Sequence, residues 1–232
     1  MGADGGLNHL FDPESHDAPE GHRALAFELA HLLQNWPDDV PVARRVAIAL
    51  LLEKMIPPLD RSTRQALAAR LGGDDSVPRS LSAILFFDAS RSVRDAILAR
   101  HAGLETDCER FTVDGPALIR EARDYSIDSF AQELTRMTGI PPFAIHRILG
   151  DVSGECLAIL CRGTRLPRLI FSTIAVLGDA SLKSGERKLE LYDTVAEQPA
   201  KALVQSWRAA RAWEHDTLAE RPLPAPALHA SA

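Results

Sequence analysis

RSTRQALAAR at residues 61–70 and RSVRDAILAR at 91–100 decide the fold. The two stretches agree at six of ten positions and lie thirty residues apart. In both, apolar residues recur at helical spacing, with Ala66/Ala96 and Leu67/Ile97 in register. The first copy runs through Gly72-Gly73 into PRSLSAILFF at 78–87, a second helical stretch opened by a proline. A helix–turn–helix unit repeated at this interval points to an α-solenoid of HEAT-like type, with a period shorter than the usual HEAT length. One such hairpin cannot bury its own apolar face, so neighbouring units must stack.

A second repeat lies further along. LTRMTGIPPFAIHRIL at 134–149 aligns with LCRGTRLPRLIFSTIA at 160–175, with Leu134/Leu160, Arg136/Arg162, Thr138/Thr164, Pro141/Pro167 and Ile148/Ile174 matched. Each copy reads as helix, tight turn with proline, helix. Upstream, Leu25, Leu29, Leu32 and Leu33 share one helix face, and Trp36-Pro37 ends that helix. Residues 41–56 are apolar on most sides, which predicts a buried helix rather than a surface one. Further helices are predicted over 62–71, 78–87, 92–101, from near 116, and over 129–138, 142–149, 154–163, 168–177, 185–197 and 199–214. Asp114, Asp151 and Ser153 fit helix N-caps, and Ser62…Gln65 and Ser129…Gln132 fit capping-box spacing. Only Gly103 to Val113 leaves room for irregular or short extended structure.

The expected fold class is therefore all-α: stacked helical hairpins, with a HEAT-like α-solenoid N-terminal half packed on a helical C-terminal half. The expected organisation is a polar leader at 1–22, HEAT-like repeats at 23–102, a helical array at 114–215 and a Pro/Ala-rich tail at 216–232.

Hydrophobic residues make up 46% of the 232 and aromatics only 6%, so a core must be filled by Ala, Leu and Ile, which suit helix packing. The formal charge of -6, with no extended basic run, argues against a general polyanion binder. The longest strongly apolar run, Val46 to Leu52, is far short of the roughly 20 residues of a membrane span. Three cysteines and no apolar leader point to a reducing, cytoplasmic setting.

No catalytic set, metal site or cofactor motif is recognisable. Cys156 and Cys161 fall five residues apart on one predicted helix, about 140° around it, and so cannot share a metal. They read as small buried apolar residues, and nothing near Cys108 favours a thiolate. His9, His16 and His22 follow no ligand spacing, and His31, His101 and His146 read as surface or cap residues. GDVSGE at 150–155 is not a nucleophile elbow. Residues 130–149 resemble a DNA-binding helix-turn-helix, but only His146 and Arg147 could read bases, and the unit recurs at 160–175. The most suggestive set is Arg61, Arg64, Arg91 and Arg94. Offsets of 0 and 3 place each pair on one helix side, as a candidate docking strip for an acidic partner or a phosphate. The plainer expectation is that they bridge to carboxylates such as Asp60, Asp88 and Asp95.

SGECLAILCRGTRLPRLIFSTIAVL at 153–177, LYDTVAEQPAKALVQSWR at 191–208 and RQALAARL at 64–71 together resemble an alphaproteobacterial family described as domain of unknown function 2336, over roughly residues 24 to 212. The shared motifs are packing motifs. The resemblance implies a fold and carries no reaction, catalytic residue or cofactor to this chain. The functional expectation is a non-enzymatic, cytoplasmic interaction or regulatory scaffold that binds a protein partner. The alternatives are a nucleic-acid or nucleotide-binding helical module using the arginine strip, and an enzyme whose site converges from distant helices.

Overall fold

The computed structural model describes residues 19–37, 40–103, 113–123, 127–177 and 182–209. Among these residues the secondary structure is helical and no strand is present. The N-terminal half comprises α1 (Pro19–Gln34), α2 (Val42–Met55), α3 (Arg61–Leu71), α4 (Arg79–Leu85) with a 3₁₀ turn at Phe86–Asp88, and α5 (Arg91–Ala102). The C-terminal half comprises α6 (Gly115–Arg123), α7 (Ile127–Thr138), α8 (Pro142–Leu149), α9 (Glu155–Gly163), α10 (Arg168–Leu177), α11 (Leu182–Thr194) and α12 (Glu197–Ala209). Sequential helices pair as hairpins, α1 with α2, α3 with α4, α7 with α8 and α10 with α11. The stretch at 104–112 lies outside the described residues, as do Cys108, His9 and His16.

Local chemistry explains most boundaries. Asp60 caps α3 by accepting from the Thr63 amide at 2.9 Å. Asp114 caps α6 through the Ala117 amide at 3.1 Å. Asp151 accepts the Cys156 amide at 2.9 Å and Ser153 the Glu155 amide at 3.2 Å, so both serve the first turn of α9. The two expected capping boxes do not form as drawn. Ser62 lies inside α3, its hydroxyl donating to Asp60, and Ser129 lies inside the first turn of α7. In each case the helix begins earlier than the serine.

The C-terminal repeat is reproduced in atomic detail. Thr138 donates to the Leu134 carbonyl at 2.6 Å and Thr164 to the Leu160 carbonyl at 2.8 Å. The next residue is left-handed in both copies, Gly139 at φ 68° and Arg165 at φ 60°. A buried Ile140 or Leu166 and a proline follow, and the next helix starts. This left-handed C-terminal cap, with its apolar contact, lets the chain reverse in few residues.

One feature departs from expectation. The apolar stretch 41–56 is not a buried helix. Ala49, Leu52, Glu53 and Ile56 pack inward, while Val42, Val46, Leu50 and Leu51 are exposed. Apolarity on all sides hides which face is inward, and only tertiary packing against α1 and α4 decides it. The halves are also joined more closely than a linear array requires. α12 lies across α9, α5 and α4, and one continuous core runs from Ala26 to Trp207. Gly163 is where α9 and α12 approach, because a Cβ there would meet the Ala200 carbonyl oxygen at 2.8 Å.

The matched left-handed residues give opposite expectations. Gly139→Ala should destabilise by about 1 kcal/mol, the cost of putting a Cβ at positive φ. Arg165→Gly should be neutral or slightly stabilising, since the surface pair it loses with Glu197 contributes about 0–1 kcal/mol. Urea unfolding of both variants checks the contrast.

Candidate functional site

The arginines of the repeat separate into two kinds. At its fourth position, arginine turns back onto backbone carbonyls just ahead of its own helix. Arg64 donates to the Leu59 carbonyl and pairs with Asp88 at 3.0 Å. Arg94 donates to the Phe86 and Phe87 carbonyls at 3.1 and 3.2 Å. Phe86 and Phe87 close α4 and its 3₁₀ turn, and such a C-terminal end presents carbonyls and a partial negative charge that the Arg94 guanidinium satisfies. Arg61 and Arg91, the first residues of α3 and α5, are exposed. The four therefore do not form one uniform strip: the inner pair is engaged inside the fold and the outer pair faces solvent. Of the carboxylates named as bridges, Asp88 takes that role, Asp60 is an N-cap, and Asp95 is exposed beside Arg91 on the wall of a groove of about 300 Å³.

Arg94 is the most heavily used polar side chain described. It is 9% exposed, pairs with Glu155 at 2.8 Å and Asp151 at 3.4 Å, and its guanidinium lies 5.1 Å from the Phe86 ring centroid. Burial pushes the Asp151 carboxyl up, but the Cys156 amide, Arg94 and Ser153 outweigh it and hold it below the usual carboxylate range. The second negative charge is tolerated because both acids lie at the start of α9, where the helix dipole favours anions.

The remaining candidates are interior or spent. Cys156 and Cys161 are buried; burial pushes Cys161 up to about 12 and Cys156 well above its ordinary range, so both stay thiols. Arg147, a supposed base reader, instead pairs with Asp88 at 2.7 Å. No group of three or more His, Cys, Asp or Glu suited to a metal occurs among the described residues. Sequence reasoning misplaced His101: it is fully buried, with Nδ1 2.8 Å from the Ile97 carbonyl and Nε2 3.3 Å from the Ser206 hydroxyl. That contact spans 105 residues, beyond any local signal.

Sequence reasoning also missed the most distinctive surface. Six large hydrophobics are exposed among the described residues, and four of them are Val42, Val46, Leu50 and Leu51 of α2. Their exposure is 73, 46, 39 and 43%. A groove of about 520 Å³ runs beside them, walled by Val42, Val46, Val77 and Pro78 and rimmed by Arg45 and Arg79. The exposed aliphatic side chains thus lie together on one helix beside a groove rather than being scattered. No helix among the described residues is long and apolar enough to cross a membrane.

A family model described as "Uncharacterised protein conserved in bacteria (DUF2336)" matches residues 51–212. The chain belongs to this bacterial family. No curated protein and no solved structure matches it. The matched span takes in both repeats, the Arg94 cluster and α12, and begins at the last turns of α2.

Two measurements test the electrostatics. Arg94→Met should cost about 3–5 kcal/mol by stranding two carboxylates, and Arg94→Met with Glu155→Gln should recover part of the loss. Burial, with Arg79 and Arg100 adding, pushes the His101 imidazole below its ordinary range despite the Ile97 carbonyl. The unfolded chain then takes up the proton first, so stability falls as pH drops below about 6.5. Glu53, raised by burial, acts with the opposite sign in wild type and variant alike. The melting temperature of His101→Asn should therefore drop less than that of wild type between neutral and mildly acidic pH.

Proposed function

We propose that the protein is a non-enzymatic interaction scaffold of the bacterial cytoplasm, a HEAT-like stack of helical hairpins that binds another protein through its exposed helical surface. The observation that supports this reading is the row of exposed aliphatic side chains on α2, where Val152 and Leu169 are the other large hydrophobics exposed among the described residues. Burying a Val or Leu contributes about 1.5–3 kcal/mol, so four left in water on one helix are a reserve of binding free energy. Arg61 and Arg91 are a second contact region within the same reading, positioned to meet acidic groups without disturbing the interior. The nucleic-acid or nucleotide alternative rests on these two arginines alone.

Affinity capture from native extract tests the proposal with three baits. Val46→Asp with Leu50→Asp should keep its melting temperature within a few degrees, because both side chains are already exposed, and should lose the partners that wild type captures. Arg61→Glu with Arg91→Glu should weaken capture and reduce its dependence on salt. If both variants retain every partner, or if wild type captures nucleic acid instead, the reading fails.

A further inference from the structure

α2 carries two apolar faces. The inner one, Ala49, Leu52, Glu53 and Ile56, is buried. The outer one is Ala43, Val46, Ala47, Leu50 and Leu51, closed by Lys54, all exposed. Their offsets of 0, 3, 4, 7, 8 and 11 are those of a single helix-packing stripe. Alanines at 43 and 47 leave recesses between the larger side chains, so another helix can seat knobs there at close range. The stripe runs along a 14-residue helix about 20 Å long, which suits a short helix as occupant.

The charge around the stripe identifies the occupant. Arg44 and Lys54, both exposed, stand near opposite ends of α2, and Arg45 and Arg79 rim the adjoining groove. The acid lining that groove, Asp75, is already paired with Arg100 at 2.9 Å. α2's own acid, Glu53, is 1% exposed and bonded to Ser80 on the inner face. On a chain of net charge -6 this face is locally basic.

We propose that the outer face of α2 and its groove bind an amphipathic helix of a partner protein, with apolar side chains at i, i+3/i+4 and i+7 and acidic residues flanking them. This rests on the scaffold reading and names the chemistry of its partner. A second copy of the chain is the poorer occupant. An antiparallel α2 pair would set Arg44 against Lys54, and a parallel pair would set each against itself, with no exposed acid on α2 to compensate. A single short helix face is also small beside the roughly 800 Å² per partner of a stable interface, which suits a reversible helix-in-groove contact.

The test uses the full chain and a synthetic 18-residue helical peptide with leucines at i, i+3, i+4, i+7 and i+11 and glutamate flanks, read by fluorescence anisotropy. Binding in the micromolar range is expected, with a lysine-flanked peptide of the same apolar face at least about tenfold weaker. Val46→Asp with Leu50→Asp should abolish binding while the circular dichroism melt is retained. Arg44→Glu with Lys54→Glu should invert the preference toward the lysine-flanked peptide, an outcome that mere unfolding cannot produce. Equal binding of both peptides, or binding indifferent to the α2 substitutions, overturns the proposal. So does a dimer in sedimentation that Leu50→Asp dissociates, or cosedimentation with anionic phospholipid vesicles that Leu50→Asp abolishes. If the peptides fail but capture from extract still depends on Val46 and Leu50, the partner chemistry is wrong and the scaffold reading survives. If capture is indifferent to them and also to Arg61→Glu with Arg91→Glu, both fall.

Discussion

Phe86, Phe87 and Asp88 occupy a single 3₁₀ turn, and the two halves of the chain are held together through it. The backbone carbonyls of Phe86 and Phe87 receive Arg94. Asp88 accepts Arg64 from α3 and Arg147 from α8. The Phe87 ring stacks on Trp207 at 5.1 Å and the Phe86 ring meets it edge-on at 5.9 Å. The indole N–H of Trp207 in turn donates to the Ala83 carbonyl at 3.0 Å, one turn upstream on α4. Large aromatic anchors supply area and orientation together, and here they fix where α12 crosses α4. Once α12 is placed there, α9 is fixed as well, because the Gly163–Ala200 approach admits little else. Arg94 then finds Glu155 and Asp151 at the start of α9.

The repeats explain how a chain poor in aromatics builds such a junction. An arginine at the fourth position of each N-terminal copy binds a backbone carbonyl just ahead of its own helix, so the first task of the repeated residue is local and backbone-directed. What differs is the environment each copy meets. Arg64 sits beside Asp88, whereas Arg94 is covered by the C-terminal half and becomes buried. The last arginine of each copy diverges in the same way. Arg70 bonds Gln34 of α1, while Arg100 gathers Asp75, Ser82 and the Val77 carbonyl around the α3–α4 loop. Repetition in the sequence thus preserves a contact to the local backbone. It does not preserve a surface.

What the sequence made legible follows the range of the interaction. Helix positions from α3 to α10 were readable because Asp114, Asp151, Gly139 and the prolines act on neighbours a few residues away. The threonine and left-handed turn of the second repeat were implicit in its alignment for the same reason. His101, placed on the surface by local pattern, is buried by Ser206 and α12 from more than a hundred residues away. The inward face of α2 was hidden by having apolar residues all round. The four arginines were found as a set, but what Arg94 meets depends on contacts across 57 and 61 residues. Such contacts leave no periodicity to detect.

The frame and the proposed binding face also separate along the chain. The family match begins at Leu51 and contains the Phe86–Asp88 junction, both repeats and α12. Val42, Ala43, Val46, Ala47 and Leu50 lie ahead of it. The residues that form the junction are inside the matched span, whereas most of the α2 stripe is outside it, as are the core residues Ala26, Leu29, Leu33 and Ala49. Nothing in the junction requires the stripe to be apolar, since the inner face of α2 alone packs on α1 and α4. Aspartate or lysine at 46 and 50 would satisfy the fold equally well and would be better solvated. In the proposed reading these aliphatic side chains are covered by a partner helix, and the basic residues at both ends of α2 set the sign of its flanks.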